Sequence, residues 1–144
     1  MRVFFDTSVL VAASIQKHPH FPRAFGAMKQ VAQKRAQGFV SAHSLAETYS
    51  TLTALPLAPR IHPMEAKRII VENILKYFRV ISLSSRDYRS VISYLAQQGF
   101  TSGAIYDALL IRCAEKKSCA YVYTFNVEHF QRIAPALSEK IVAP

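Results

Sequence analysis

The amino-acid sequence predicts an α/β fold in which a central parallel sheet is covered by helices on both faces. Segments with strand character alternate along the chain with segments whose apolar residues recur at helical spacing. The strand segments are short and almost entirely apolar, which is typical of strands buried on both faces of a sheet. With 144 residues, 51% of them hydrophobic, the chain can bury one sizeable core but is too short for two ordinary domains. We therefore expect a single domain over residues 1–144.

Each predicted element follows from a local pattern. A β-branched and aromatic run opens the chain as a strand, and a polar turn then leads into a first helix. Gly38 is expected to end the second helix in the left-handed conformation, and three prolines from Pro56 to Pro63 are expected to form a bent connector. The predicted strands are Val3–Phe5, one beginning at Phe39, Val80–Leu83 and Ala120–Tyr123, and the later helices cover 21–37, 44–55, 63–77, 84–98 and 102–117.

The chain is strongly basic. It contains 18 Lys and Arg against 9 Asp and Glu, which gives a formal net charge of +9. Such a field attracts polyanions, so nucleic acid is the first partner to consider. The alternative is a basic surface that serves solubility or meets an acidic protein partner.

The sequence also bears on the cellular compartment. Cys113 and Cys119 lack the spacing of a metal site, so we expect buried, reduced thiols and no disulfide. The apolar N-terminal stretch is interrupted early by Asp6, and no run approaches the roughly 20 apolar residues needed to span a bilayer. We therefore expect a cytoplasmic protein that does not associate with membranes.

Four polar residues are candidates for a site. Because ligands bind at the carboxyl ends of strands in parallel α/β sheets, Asp6 and Asn126, which follow the first and last predicted core strands, are expected to border a cleft. Glu47 lies near the start of the helix after the second strand. Asp107 lies one turn into an apolar helix, where desolvation would penalise a lone ionised carboxylate.

A metal ion would resolve the repulsion among these carboxylates. Three carboxylates gathered at one place destabilise the fold unless a cation neutralises them. Ligand sets made only of oxygen favour Mg²⁺ or Mn²⁺ over zinc. Such an ion would orient a phosphate, activate a bound water and stabilise a leaving oxygen.

Each acid has a competing structural interpretation. Asp6 could instead cap the helix that follows it. The pattern Ser44-x-x-Glu47 is a capping box, which explains Glu47 without any ligand. Asp107 lies too deep in its helix to cap it, and its alternative is a buried ion pair with Arg112.

Other polar residues are given structural roles. Ser84-x-x-Asp87 repeats the capping box, and we interpret Asp87 as a cap and nothing more. The histidines show no paired ligand spacing and are interpreted as surface or structural residues. They are His18, His20, His43, His62 and His129.

Four segments of the chain resemble the motifs of PIN domains, in the expected order and on the expected elements. They are Val3-Phe4-Phe5-Asp6-Thr7-Ser8-Val9-Leu10, Ser44-Leu45-Ala46-Glu47, Ser102-Gly103-Ala104-Ile105-Tyr106-Asp107-Ala108-Leu109 and Thr124-Phe125-Asn126-Val127-Glu128-His129-Phe130. The resemblance implies a three-layer α/β/α sandwich and a metal-dependent endoribonuclease that leaves a 5′-phosphate and a 3′-hydroxyl.

The same resemblance implies roles for individual residues. Asp6, Glu47 and Asp107 would carry Mg²⁺, with Mn²⁺ as the alternative ion. Asn126 stands where many members have a fourth acid, so a second metal site is left open. The hydroxyls in the matching turns, which are those of Thr7, Ser8 and Thr124, would approach phosphate or cap helices.

Small PIN domains of this size resemble VapC-type toxins of toxin–antitoxin pairs. The implied partners are an RNA substrate, an antitoxin protein and a second copy of the chain. A PIN-like module that binds RNA or protein without cutting is the alternative, since binding needs only the basic surface. A phosphatase of the haloacid dehalogenase type is disfavoured, because Ser8 stands where that family has its second aspartate.

Overall fold

The computed structural model describes residues 1–144 and contains a five-stranded, all-parallel sheet in the order β3-β2-β1-β4-β5. The first strand lies at the centre, where Phe4 pairs with Phe39 of the second strand and Phe5 pairs with Tyr123 of the fourth. The strands are β1 Arg2–Phe5, β2 Gln37–Ser41, β3 Arg79–Ile81, β4 Tyr121–Tyr123 and β5 Ile141–Val142. Four of them were predicted, whereas the short edge strand β5 was not.

Seven α-helices connect or follow these strands. They are α1 Thr7–Ser14, α2 Phe21–Ala32, α3 Ala42–Ala54, α4 Pro63–Ile69, α5 Ser85–Gln98, α6 Ala104–Lys116 and α7 Val127–Ile133. Helix α4 begins at Pro63 as predicted, but it continues as a π-helical segment over Ile70–Leu75 instead of remaining α-helical to residue 77. A 3₁₀ helix, Pro135–Lys140, leads into β5.

Neighbouring side chains of β1 enter opposite layers of the molecule. Phe4 belongs to a core that it shares with residues of α5, α6 and α7. Val3 and Phe5 belong to a second core, formed with α1, α2 and the π-helical segment. Because strand side chains alternate between the two faces of a sheet, each face of β1 supports one helical layer. The predicted sandwich with a central parallel sheet is confirmed.

The role predicted for Gly38 is wrong. Helix α2 ends at Ala32, the left-handed conformation is adopted by Lys34 with φ 60°, and Gly38 lies inside β2. A Cβ atom on Gly38 would lie 2.6 Å from ring carbons of Phe78 and 2.7 Å from Val31. The glycine is therefore required by the close packing of these side chains over the strand, and not by a helix end.

Two further expectations concern the cysteines and the membrane. Cys113 and Cys119 are buried and carry free thiols. None of the helices combines the length and the apolar character that a bilayer crossing requires.

Candidate acidic active site

Asp6 lies at the carboxyl edge of the sheet, between two hydroxyl groups. The parallel pairing of β1 with β4 brings the residue after each strand to the same edge, so Asp6 and Thr124 are neighbours. Thr124 Oγ1 donates to Asp6 Oδ2 at 2.7 Å, and Ser8 Oγ donates to the same oxygen at 2.7 Å. Ser8 Oγ also accepts a hydrogen bond from the backbone N–H of Phe125, which ties the two turns together.

The structure supports only the position, and not the hydrogen bond, of the alternative role in which Asp6 caps α1. Asp6 occupies the N-cap position of α1, but its side chain makes no capping hydrogen bond. Only 4% of the residue is exposed. Burial raises the pKa of this carboxyl group, and the hydrogen bonds from Thr124 and Ser8 only partly offset that effect. Asp6 is therefore a buried acid that forms no salt bridge with a basic side chain.

Glu47 points to the turn that follows β1. The hydroxyl of Thr7 donates to Glu47 Oε1 at 3.1 Å and lies 2.9 Å from Ser44 Oγ. The predicted capping box is wrong, because α3 begins two residues earlier than expected, with Ser41 as its N-cap accepting from the N–H of His43. Glu47 therefore lies inside the helix, where no backbone N–H needs it.

Asp107 lies in the first turn of α6, and its pKa is affected by the charges of the other two acids. The pKa of its carboxyl group is raised to about 6, first by burial and then by the negative charge of Asp6, with a smaller contribution from Glu47. The positive charge of His129 opposes these effects. Such coupling requires the three carboxylates to lie in one electrostatic neighbourhood, although they come from three separate segments of the chain.

The ion pair with Arg112, considered as the alternative role of Asp107, does not form. Arg112 Nε donates instead to Asp87 Oδ1 at 3.1 Å, and Lys116 Nζ donates to Asp87 Oδ2 at 2.7 Å. Asp87 does complete the predicted capping box with Ser84, but the interpretation as a cap alone is wrong, since it also joins α5 to α6 through two basic residues. One turn of α6 separates Arg112 from Lys116, so both reach the same acid.

Asn126 lies at the exposed rim of this region. It is the N-cap residue of α7, but its side chain makes no capping hydrogen bond, and its backbone N–H donates to Thr124 Oγ1 at 3.0 Å. The residue is exposed to solvent. Its amide group is therefore free to meet a ligand.

The chemistry of this site suits a hard cation, although no ligand cage is already assembled. Three acids and several hydroxyls lie in one region, no Lys or Arg forms a salt bridge with any of the acids, and most of the available donor atoms are oxygen. The structure contains no group of three or more His, Cys, Asp or Glu side chains at the spacing of metal ligands.

Four residues beside the acids were not among the predicted site residues. His43 Nε2 lies 3.7 Å from Glu47 Oε1, and the ring of Tyr106 stacks against that of His43. His129 and Arg132 line a groove together with Asp107. The sequence offered a clue to three of these four residues, because His43 and His129 lie about one helical turn from Glu47 and Asn126, and Tyr106 directly precedes Asp107. Arg132 gave no such signal.

Comparison with known sequences gives a consistent result. The family model of the PIN domain matches residues 3–135. Ribonuclease VapC27 of Mycobacterium tuberculosis is 36% identical over 111 residues, which cover 76% of this chain and 74% of that protein. Ribonuclease VapC40 of the same organism is 33% identical over 105 residues, covering 73% and 72%.

Solved structures resemble the fold at lower sequence identity. The crystal structure of Mycobacterium tuberculosis VapC20, described as a sarcin-ricin loop cleaving toxin, matches with a TM-score of 0.68 and 20% identity, covering 88% of this chain and 92% of that one. VapBC2 from Rickettsia felis, bound to a DNA fragment from its promoter, matches with a TM-score of 0.69 and 20% identity, covering 99% and 98%. At such identities the likeness concerns the fold alone.

Proposed function

The chain belongs to the PIN-domain family as a VapC-type ribonuclease, and from this premise we propose that it cuts RNA with a divalent cation held by Asp6, Glu47 and Asp107. It is an endoribonuclease of the toxin–antitoxin class. The ion that we propose is Mg²⁺, with Mn²⁺ as the alternative. Family membership alone gives neither the ion nor its ligands, so this part of the proposal is argued from the acidic site.

The observation that carries this proposal is the proximity of three acids that no Lys or Arg side chain neutralises. Two of them, Asp6 and Asp107, have raised pKa values, and the charge of Asp6 contributes to the shift at Asp107. Elsewhere in the same chain a buried acid is neutralised by two basic side chains. A fold that leaves three acids together unneutralised is suited to an external cation.

The protein residues around the acids fix their orientation. Thr124 and Ser8 donate to one oxygen of Asp6, which leaves its other oxygen available to a ligand. Thr7 holds one oxygen of Glu47 in the same way. A divalent cation bound here would polarise the scissile phosphate and lower the pKa of the attacking water.

Asn126 is proposed as an accessory residue of the site. Its exposed amide can donate to a phosphate oxygen or accept from a water molecule, but it adds no negative charge. It therefore positions the substrate or the attacking water without increasing the charge that holds the ion. A site with three acids and one amide favours one tightly held ion over two.

The net charge of the chain complements this site. The field of +9 attracts RNA from solution, while the three acids would repel the phosphate that they must approach. A bound cation removes that conflict, because it neutralises the acids where the backbone is cut. Affinity and cleavage thus depend on different residues.

We also propose the partners and organisation that the family suggests. These are an antitoxin protein, a second copy of the chain and a cytoplasmic location. The VapBC2 assembly of Rickettsia felis supports a protein partner, since its fold matches along nearly the whole of this chain. The match of the PIN family model to residues 3–135 supports a single domain over residues 1–144.

The proposal is tested by cleavage of a mixed cellular RNA pool by the chain purified without other proteins. Reactions contain Mg²⁺, Mn²⁺ or EDTA, and compare the wild type with Asp107→Asn. Glu139→Gln is the matched control, because it makes the same carboxylate-to-amide change at an exposed position of the 3₁₀ helix.

Cleavage by the wild type and by Glu139→Gln, with none in EDTA or by Asp107→Asn, is the expected result. Cleavage at full rate by Asp107→Asn would remove that residue from the mechanism. If none of the proteins cuts RNA but all of them bind it, the non-catalytic module is the better description.

A further inference from the structure

An aromatic pair is exposed at the rim of the acidic site. The rings of His43 and Tyr106 are nearly parallel, with 9° between their planes and 5.9 Å between their centroids. Tyr106 is 54% exposed, among the highest values of the large apolar or aromatic residues. The pair joins α3 to α6 and is formed on the surface, outside both hydrophobic cores.

The position of the pair relates it directly to the proposed chemistry. His43 precedes Glu47 by one helical turn, and its Nε2 lies 3.7 Å from Glu47 Oε1. Tyr106 immediately precedes Asp107 in α6. The His43 ring therefore stands beside Glu47, and its stacking with Tyr106 places the second ring on the same part of the surface.

Apart from the stacking on His43, the exposed ring of Tyr106 has no evident structural role. The hydroxyl of Tyr94, another partly exposed tyrosine, donates to the carbonyl oxygen of Ile133 and so links α5 to α7. No such hydrogen bond holds the hydroxyl of Tyr106, and its ring contributes little to burial. Its exposure leaves much of the side chain open to a planar ligand.

We propose that the His43–Tyr106 pair is a stacking platform for one unpaired base of the RNA, beside the nucleotide whose phosphodiester is cut. This inference rests on the proposed function, because it uses the same site and names its substrate class. Proteins that recognise single-stranded RNA stack unpaired bases on aromatic side chains, whereas bases inside an A-form duplex cannot reach such a surface. The platform would therefore select single strands or loops.

The charge of the chain, as well as the shape of the platform, favours RNA as the ligand. The chain has a net charge of +9, which favours a polyanion over a peptide that has few acidic residues. His129 and Arg132 line a groove together with Asp107, where a phosphate next to the stacked base would find positive charge. An aromatic surface beside Glu47 and basic groups beside Asp107 suit a strand in which bases and phosphates alternate.

The test measures binding of a single-stranded octaribonucleotide that carries one 2-aminopurine, with Ca²⁺ in place of Mg²⁺. Stacking quenches the fluorescence of this base, and anisotropy of an end label reports affinity. Tyr106→Leu keeps an apolar side chain but removes the ring, and Tyr106→Phe keeps the ring. Tyr88→Leu is the matched control at another exposed tyrosine, on α5.

We expect quenching by the wild type, by Tyr106→Phe and by Tyr88→Leu. Tyr106→Leu should bind about 10-fold more weakly and lose the quenching, as one stacked base is lost. Its dependence on salt concentration should be unchanged, because no phosphate contact is removed. The same oligonucleotide annealed to its complement should show no quenching by any of the proteins.

Cleavage assays in Mg²⁺ with the same proteins separate this inference from the proposed function. Metal-dependent cleavage combined with unchanged quenching by Tyr106→Leu would overturn the platform alone. Quenching that depends on Tyr106, without cleavage, would support the platform and count against the nuclease. Absence of quenching by the wild type would overturn the platform whether or not the RNA is cut.

Discussion

Asp6 and Asp87 are almost equally buried, with 4% and 3% of each residue exposed, yet their pKa values shift in opposite directions. Asp87 accepts hydrogen bonds from Lys116 and Arg112 and completes a capping box with Ser84, which hold the pKa of its carboxyl group well below the ordinary value. Asp6 is bonded only to neutral groups, and burial raises its pKa.

The difference separates an acid that stabilises the fold from one that is kept for a ligand. Burial of a charge is tolerated when basic partners and hydrogen bonds compensate for lost hydration, as they do at Asp87. At the acidic site the neighbouring carboxylates raise the pKa of Asp107 and His129 opposes them only in part, so the site destabilises the fold in a way that a cation would relieve. Perturbed acids of this second kind cluster at functional sites.

The largest expected effect is on cleavage. Asp6→Asn should reduce the rate of RNA cleavage by at least about 100-fold, since it removes charge from the proposed ion site while keeping the shape of the side chain. Asp87→Asn should leave the rate per folded molecule unchanged. Rates are measured on one RNA substrate, after the folded fraction of each protein has been determined by circular dichroism. Equal losses in both variants would erase the distinction between the two acids.

The next effect concerns stability. Asp87→Ala should lower the melting temperature by several degrees, because it leaves Arg112 and Lys116 without their shared acid and removes the hydrogen bond that the Asp87 side chain accepts from Ser84 N–H in the capping box. Differential scanning calorimetry without added metal provides the measurement. Glu139→Ala, at an exposed acid, should change little and serves as the control. A melting temperature unchanged by Asp87→Ala would show that the cluster contributes nothing to the fold.

Asp107, of the acidic site, and Asp87 should make opposite contributions to the pH dependence of stability. The pKa of Asp107 rises from 3.8 to about 6 on folding, so between about pH 4 and pH 6 the unfolded chain releases a proton that the folded chain keeps. Stability without metal should fall as the pH rises through this window. Asp107→Asn should abolish that decline and be more stable at pH 7 by about 1–2 kcal/mol, a range reduced for solvent screening.

Asp87 provides the opposite pH dependence. Its pKa is lowered on folding, so its stabilising contribution is present above about pH 4 and is lost as the pH falls below the ordinary value of 3.8. Urea unfolding curves of the wild type, Asp107→Asn and Asp87→Asn from pH 3 to pH 8 test both signs. A wild type whose stability rises steadily from pH 4 to pH 6 would contradict the assignment at Asp107.

The smallest effect is stabilisation by the ion itself. A ligand that binds only the folded state at ten times its Kd stabilises by about 1.4 kcal/mol. Mg²⁺ should therefore raise the melting temperature of the wild type by a few degrees, and should not raise that of Asp107→Asn. Thermal melts at constant ionic strength distinguish specific binding from a salt effect, which would move both proteins equally.

The sequence predicted the fold more accurately than the helix boundaries near the candidate acids. Alternating apolar strands and amphipathic helices were sufficient for the parallel sheet, because burial on both faces imposes that pattern. Gly38 was misassigned because a glycine required by the packing of Phe78 looks the same in sequence as one that ends a helix. Strand β5 has only two residues, too few for any periodicity.

The same limit applies to the interpretation of individual acids. Ser44-x-x-Glu47 and Ser84-x-x-Asp87 are equivalent as patterns, but only the second is a capping box, because α3 begins at Ala42. The acid that pairs with Arg112 is determined by the packing of α5 against α6. This packing brings together Arg112 and Asp87, which are 25 positions apart in the sequence. Local patterns predict elements, whereas the partners of a charge depend on how the elements pack.

The most direct measurement is Mn²⁺ binding followed by electron paramagnetic resonance, in which bound Mn²⁺ disappears from the signal of the free ion. The chain purified alone should bind Mn²⁺ saturably, Asp87→Asn should bind it equally well, and Asp6→Asn and Asp107→Asn should bind it much more weakly. Undiminished binding by both Asp6→Asn and Asp107→Asn would contradict the three-acid site.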